Sequence, residues 1–277
     1  AIIPNIDELE DWGRLDPSDE HTYTVMPGME HKYNSTVLML VSNVCEGICR
    51  YCFRKRLFIS PRGEHLRDLT SALQYIREHP EITNILLSGG DPLILKPSKL
   101  EEIVARLMEI EHIHIVRIGT KMPAFNPYRI IESPGLLDMI RRHSSGRQKI
   151  YIMTHFVHPR ELTDVAVKAI EMLQKAGAIV TNQMPLIKGV NSDPEVLAEL
   201  LAKLSTSRAA ASWFSKAIPK LTGSMITRKL SRIIRITCRT EYTGRNNLSS
   251  GPEIILPEGV IPTFNTSQFH YRLTMDN

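Results

Sequence analysis

Alternating strand and helix patterns predict a parallel α/β fold for this chain of 277 residues. Three observations carry the prediction. Five apolar runs have the length of buried strands, helix-like stretches separate them, and the unusual polar motifs sit where the runs end.

In chain order, residues 1–35 are acidic at first and then turn-rich, with no convincing period, and read as a lead-in segment. The strand-like runs follow at 36–42 (TVLMLVS), 84–88 (NILLS), 115–120 (IVRIGT), 149–154 (KIYIMT) and 179–184 (IVTNQM). Helix-like stretches occupy 65–79, 98–110, 134–143, 160–176 and 193–207, and Gly177 closes the fourth. Strands joined by single helices run parallel with right-handed crossovers, which allows an open doubly wound sheet or a complete or partial barrel. Periodicity does not choose between them. In either, ligands gather at the C-terminal ends of the strands. The core domain is therefore expected over 36–207. Residues 208–277 read as a basic tail: Arg208 to Arg239 holds eight basic residues and no acidic one, with IIRITCR (233–239) offering a last strand.

Hydrophobic residues make up 42% of the chain and charged residues 23%, ordinary for a soluble globular protein. No apolar run approaches the ~20 residues that cross a bilayer, so no membrane association is expected and a cytoplasmic location follows. A net charge of +4 is modest for this length, and nucleic acid is not expected as a partner.

Three of the four cysteines, Cys45, Cys49 and Cys52, follow directly on the first run as C-x3-C-x2-C, with Cys238 far away. That distribution suits a metal site in a reducing compartment better than a disulfide framework. Three thiolates on a four-iron cluster leave one iron open to an outside ligand. Zinc is the competing reading, with His31 or His65 completing the set, and three unliganded thiols are the plainest one.

The phrase CRYCFRKR (49–56), with Tyr51 before the last cysteine, resembles radical S-adenosylmethionine (SAM) enzymes of the lysine 2,3-aminomutase type. The resemblance runs from about residue 20 to about 205. It implies a partial (β/α) barrel with a [4Fe-4S] cluster on Cys45, Cys49 and Cys52 as metal ligands and catalytic residues. It further implies SAM bound by Tyr51, Ser88, Gly89, Gly90, Asp91, His155 and Gln183, and a substrate carboxylate held by Arg54 on a cationic rim with Lys55 and Arg56. Phrases at 117–121 (RIGTK), 154–159 (THFVHP) and 182–191 extend the likeness, and His31 to Tyr33 resembles the phrase that meets the phosphate of pyridoxal phosphate (PLP). Local readings of the same residues are a tight turn at Ser88 to Pro92, a structural histidine, a capping pair at Asn182 and Gln183, and a solvated charge run.

The activity implied is isomerisation, a 1,2-amino shift on lysine or a related amino acid or a protein lysine. Homo-oligomerisation is left open, and an external reductant would be required. The likeness stops after residue 205: no glycine-rich G-K phrase supplies a PLP lysine, Thr243-Gly244-Arg245 has arginine there, and no aspartate occurs between Asp193 and Asp276. PLP is thus compatible with the family but without an identifiable lysine. Two alternatives follow: a radical SAM reaction on protein or RNA without PLP, or a defective remnant whose C-terminal stretch is truncated or out of frame. The larger N-terminal region expected of full-length relatives is not within this sequence.

Overall fold

The computed structural model describes residues 16, 18–52, 54, 64–144, 146–187 and 189–207, and the backbone course of 210–215. Lys55, Arg56, Cys238, the 233–239 run and Arg245 lie outside the described residues. Eight strands form one sheet in the order β1 to β8. They are β1 (Thr24–Met26), β2 (Met29–Tyr33), β3 (Thr36–Ser42), β4 (Asn84–Gly89), β5 (Ile115–Thr120), β6 (Lys149–Thr154), β7 (Ile179–Pro185) and β8 (Ala210–Ser215). From β3 onward every pairing is parallel, whereas β1 and β2 pair antiparallel at the edge.

This order settles what periodicity left open. Each right-handed crossover steps the same way along the sheet, so all helices fall on one face, whereas a doubly wound sheet reverses and covers both. The result is a partial (β/α) barrel, without pairing between β1 and β8 among the described residues. The five expected strands lie within one residue of their expected bounds. The lead-in adds two strands that its pattern concealed, because β1 has three residues and β2 (MEHKY) carries Glu30, His31 and Lys32 in succession. The sheet thus extends beyond both ends of 36–207.

Helices α1 (Leu69–Glu78), α2 (Pro97–Met108), α5 (Pro134–His143), α6 (Asp164–Lys175) and α7 (Pro194–Thr206) cover the outer face, and short helices α3 (Met122–Phe125) and α4 (Tyr128–Ile131) follow β5. Local caps set several starts. Asp68, Thr163 and Asp193 accept from backbone N–H groups of Ser71, Ala166 and Glu195. Thr163 is why the expected 160–176 helix divides into a 3-10 turn, Pro159–Glu161, and α6. Gly177 ends α6 at φ 100°, a conformation that favours glycine.

Alternation along the strands places the core. Val37 and Met39, Ile85 and Leu87, Val116 and Ile118, and Ile150 and Ile152 are fully buried, in one cluster with Leu73, Leu100, Val104, Ile170 and Leu173 from the helices. Each such side chain contributes about 1.5–3 kcal/mol by leaving water. The intervening residues, among them Ser88, Arg117, Tyr151, Thr181 and Gln183, are half-buried and occupy the opposite, inner face.

Candidate active site

The cysteine loop leaves β3 and is tied down by the end of β4. Gly90 N donates to Ser42 O at 2.7 Å and Asp91 N to Val44 O at 2.8 Å. This approach requires glycine: Gly89 has φ 116°, and a Cβ at Gly89 or Gly90 would lie 2.2 Å from the Ser42 or Val44 carbonyl oxygen. Both glycines thus seat the loop closely against β4. Within it, Cys52 N donates to Cys49 O at 3.0 Å, closing a turn, and Asn126 Nδ2 reaches Glu46 Oε1 at 3.0 Å.

Cys45, Cys49 and Cys52 are half-buried and joined by no disulfide. Burial pushes the Cys45 thiol up to about 12, with the Asp91 carboxylate and then the other two cysteines adding to it. Cys49 is also raised by burial, against the opposing pull of Lys121. Cys45 and Cys49 are each raised by a neighbouring cysteine as well, and a shared positive centre would reverse the penalty on their thiolates. Their sulfurs do not all lie within 4.8 Å of one another. The buried Tyr51 hydroxyl lies beside Cys49, and burial is the main cause of its raised pKa.

Asp91 is 5% exposed and its carboxylate is committed to protein donors: Thr120 Oγ1 at 2.7 and 2.8 Å, Lys121 N at 2.8 Å and Leu93 N at 3.0 Å. It joins the ends of β4 and β5. Beside it, Lys121 is buried, donates to both Glu161 carboxylate oxygens at 3.0 Å and to His155 O, and lies 5.1 Å from the Phe125 ring centroid. Glu161 Oε2 also accepts from Val157 N at 2.7 Å. His155 is held neutral, its pKa lowered to about 3 by burial first and then by the Lys121 and Arg54 cations.

Arg54, the expected substrate clamp, already holds a carboxylate. Its Nη2 and Nε donate to Glu20 at 2.6 and 3.3 Å and its Nη1 to Ser88 Oγ at 3.2 Å. Glu20 comes from the lead-in. Asn182 and Gln183 point to opposite faces: Asn182 is buried and bonds Thr154 Oγ1, Phe156 N and Phe156 O, shaping the 155–157 loop, whereas Gln183 is half-buried on the inner face. His31 faces α1, bonded to Tyr75 Oη at 3.0 Å and Asn34 O at 3.1 Å, so its ring is engaged away from the cysteines. Lys32 Nζ donates to Ser18 O at 2.9 Å, and Tyr33 is 47% exposed. Asn191 does not cap α7 but bonds Ile187 N and Pro185 O from a fully buried position.

The cysteine loop, the 88–91 turn, Lys121, His155 and Gln183 all stand at the C-terminal ends of consecutive parallel strands. Residues 39–201 match the model of the radical SAM superfamily. The chain belongs to that superfamily. This radical SAM chain is 52% identical over 205 residues to a protein of Aquifex aeolicus (strain VF5) named "Putative L-lysine 2,3-aminomutase", covering 74% of this chain and 55% of that protein. It is 38% identical over 190 residues to the L-lysine 2,3-aminomutase of Clostridium subterminale, covering 68% and 44% of the two chains. The corresponding enzyme of Fusobacterium nucleatum subsp. nucleatum is 37% identical over 209 residues, covering 74% and 48%. The chain spans about half the length of the curated relatives it matches. A solved structure described as "Native anSMEcpe with bound AdoMet" shares the fold with a TM-score of 0.55 at 12% identity, covering 75% of this chain and 61% of that one.

Sequence reasoning missed Glu20 and Glu161, which hold the two cations at this mouth. No local signal marks them, because each partner lies 34 or more residues away.

Proposed function

We propose that this chain is a radical SAM enzyme of the lysine 2,3-aminomutase type, carrying a [4Fe-4S] cluster on Cys45, Cys49 and Cys52 and acting on lysine or a related amino acid. The single observation behind this reading is the set of three half-buried, disulfide-free cysteines on one loop seated by Gly89 and Gly90 at the barrel mouth. Of the two histidines that could complete a zinc site, His31 has both ring nitrogens engaged elsewhere, whereas His65 Nδ1 is buried without a hydrogen-bond partner among the described residues.

When bound, the cluster would supply the electron that cleaves SAM to the 5′-deoxyadenosyl radical, which abstracts hydrogen from the substrate. The chain's own residues do the positioning. Tyr51 packs beside Cys49, neutral His155 offers a hydrogen-bonding ring at the mouth, and Gln183 projects inward from β7. Asp91 acts by fixing the turn at the cluster loop, with its carboxylate spent on Thr120 and Lys121. Arg54 would hold a substrate carboxylate only by exchanging it for Glu20. An external reductant and a reducing, cytoplasmic compartment belong to the same reading. No helix among the described residues is long and apolar enough to cross a membrane.

PLP is part of the aminomutase proposal. A second reading, a radical SAM reaction on a protein or RNA without PLP, is favoured by arginine at 245 where a Schiff-base lysine would be sought, since a guanidinium does not form an aldimine. Anaerobic reconstitution with iron and sulfide, followed by an assay for 5′-deoxyadenosine, tests the cluster and SAM reading. Uptake of zinc and no iron would end it. Borohydride trapping with PLP, with and without lysine, separates the two substrate readings.

A further inference from the structure

Arg117 stands apart from the other enclosed cations. Arg54 is held by Glu20, Lys121 by Glu161, and Arg129 by the Leu93, Ile94 and Leu95 carbonyls. Arg117 instead donates from Nη2 to Thr36 Oγ1 at 3.3 Å, while its Nε is buried with no hydrogen-bond partner among the described residues. No carboxylate among the described residues pairs with it. A guanidinium stays charged, and leaving it enclosed without a counter-charge is costly. Burial accordingly lowers its pKa, with Tyr151 opposing.

Its place in the sheet shows what could reach it. Val116 and Ile118 are fully buried against the helices, so Arg117 lies on the inner face, in register with Leu86 and Tyr151. The next residue on that face toward the mouth is Gly119, where a Cβ would meet nothing closer than 3.7 Å. The column above the guanidinium thus carries no side chain of its own strand.

We propose that Arg117 binds an anionic group, a carboxylate or a phosphate, of a ligand admitted past Gly119. This deepens the proposed function by adding an anion subsite inside the same barrel, and it rests on that reading only for the mouth through which the ligand enters. An anion on Nε would complete the fork that Thr36 leaves unfinished.

Equilibrium dialysis of the reconstituted full chain against SAM, lysine, PLP, pyridoxal and inorganic phosphate tests this. Arg117→Gln should weaken at least one anionic probe by about tenfold or more, and Arg117→Lys should restore part of the loss, because charge returns without the fork. Loss confined to PLP and phosphate, with pyridoxal unchanged, identifies a phosphate. Loss confined to lysine or SAM identifies a carboxylate. Gly119→Val, which fills the column and leaves the guanidinium intact, should weaken the same probe and serves if the arginine variants do not fold. Unchanged affinities in Arg117→Gln and Gly119→Val, or a wild type that binds none of the probes, overturn the proposal. The 5′-deoxyadenosine assay on the wild type reads the proposed function separately.

Discussion

The two faces of β5 show how one strand serves two purposes. Toward the helices it presents Val116 and Ile118, both fully buried in the common core. Toward the barrel interior it presents Arg117, whose Nε has no partner among the described residues, and Gly119, with no side chain. The outer face gives up apolar surface and gains stability. The inner face retains charge and space, which cost stability and have value only with a ligand. A shift of one residue in register would exchange the two faces, so pattern and function constrain the same strand.

That contrast can be broken most severely at the mouth. Cys49→Ser should reduce iron-sulfide absorption and 5′-deoxyadenosine formation to background while leaving the far-ultraviolet circular dichroism unchanged; a variant that loses structure as well would show that the loop also holds the fold.

Acid should have the next largest effect. His155 is neutral in the fold with a pKa of about 3 against 6.5 when unfolded, so the unfolded chain binds the extra proton between those values. Stability present above pH 6.5 should therefore fall as pH drops toward 3, by as much as about 5 kcal/mol. Denaturant midpoints against pH should show this slope in the unreconstituted wild type and a flatter one in His155→Gln.

On the helix side, Ile118→Ala should cost about 3 kcal/mol in urea unfolding, through lost burial and the cavity left behind. The folded fraction should still assemble its cluster; failure to do so would mean that the two faces are not separable.

Smaller again is Glu20→Ala, which strands the largely enclosed Arg54. The expected loss is about 2 kcal/mol, below that of a fully buried pair because Arg54 keeps some solvent contact. A readout beyond stability sharpens the point: with Glu20 gone, an added carboxylate such as lysine should bind more tightly if Arg54 is the clamp, and equally or less tightly if the pair is only a strut.

The legible parts of this molecule were those written in local spacing. TVLMLVS and IVRIGT were readable as strands because their apolar residues are contiguous and their ends are marked by polar motifs. The cysteine triplet stood out for the same reason. β2 was concealed because a strand bearing Glu30, His31 and Lys32 in succession has no apolar signature. The four-residue helices after β5 are too short to establish a period. The site proved hardest to read where polar residues serve the fold: the likeness that assigned Asp91 to SAM does not show a carboxylate saturated by Thr120, Lys121 and Leu93.

By itself the sequence determined the strand and helix alternation, the position of the three thiols after the first parallel strand, and the iron-sulfur chemistry they suit, because each depends on residues close together along the chain. Tertiary structure alone decided that the sheet winds one way into a partial barrel, that Asn182 turns outward while Gln183 turns inward, and that Glu20 meets Arg54. Those outcomes depend on contacts between distant segments, where chain spacing imposes no rule and only packing and the pairing of buried charge select a partner.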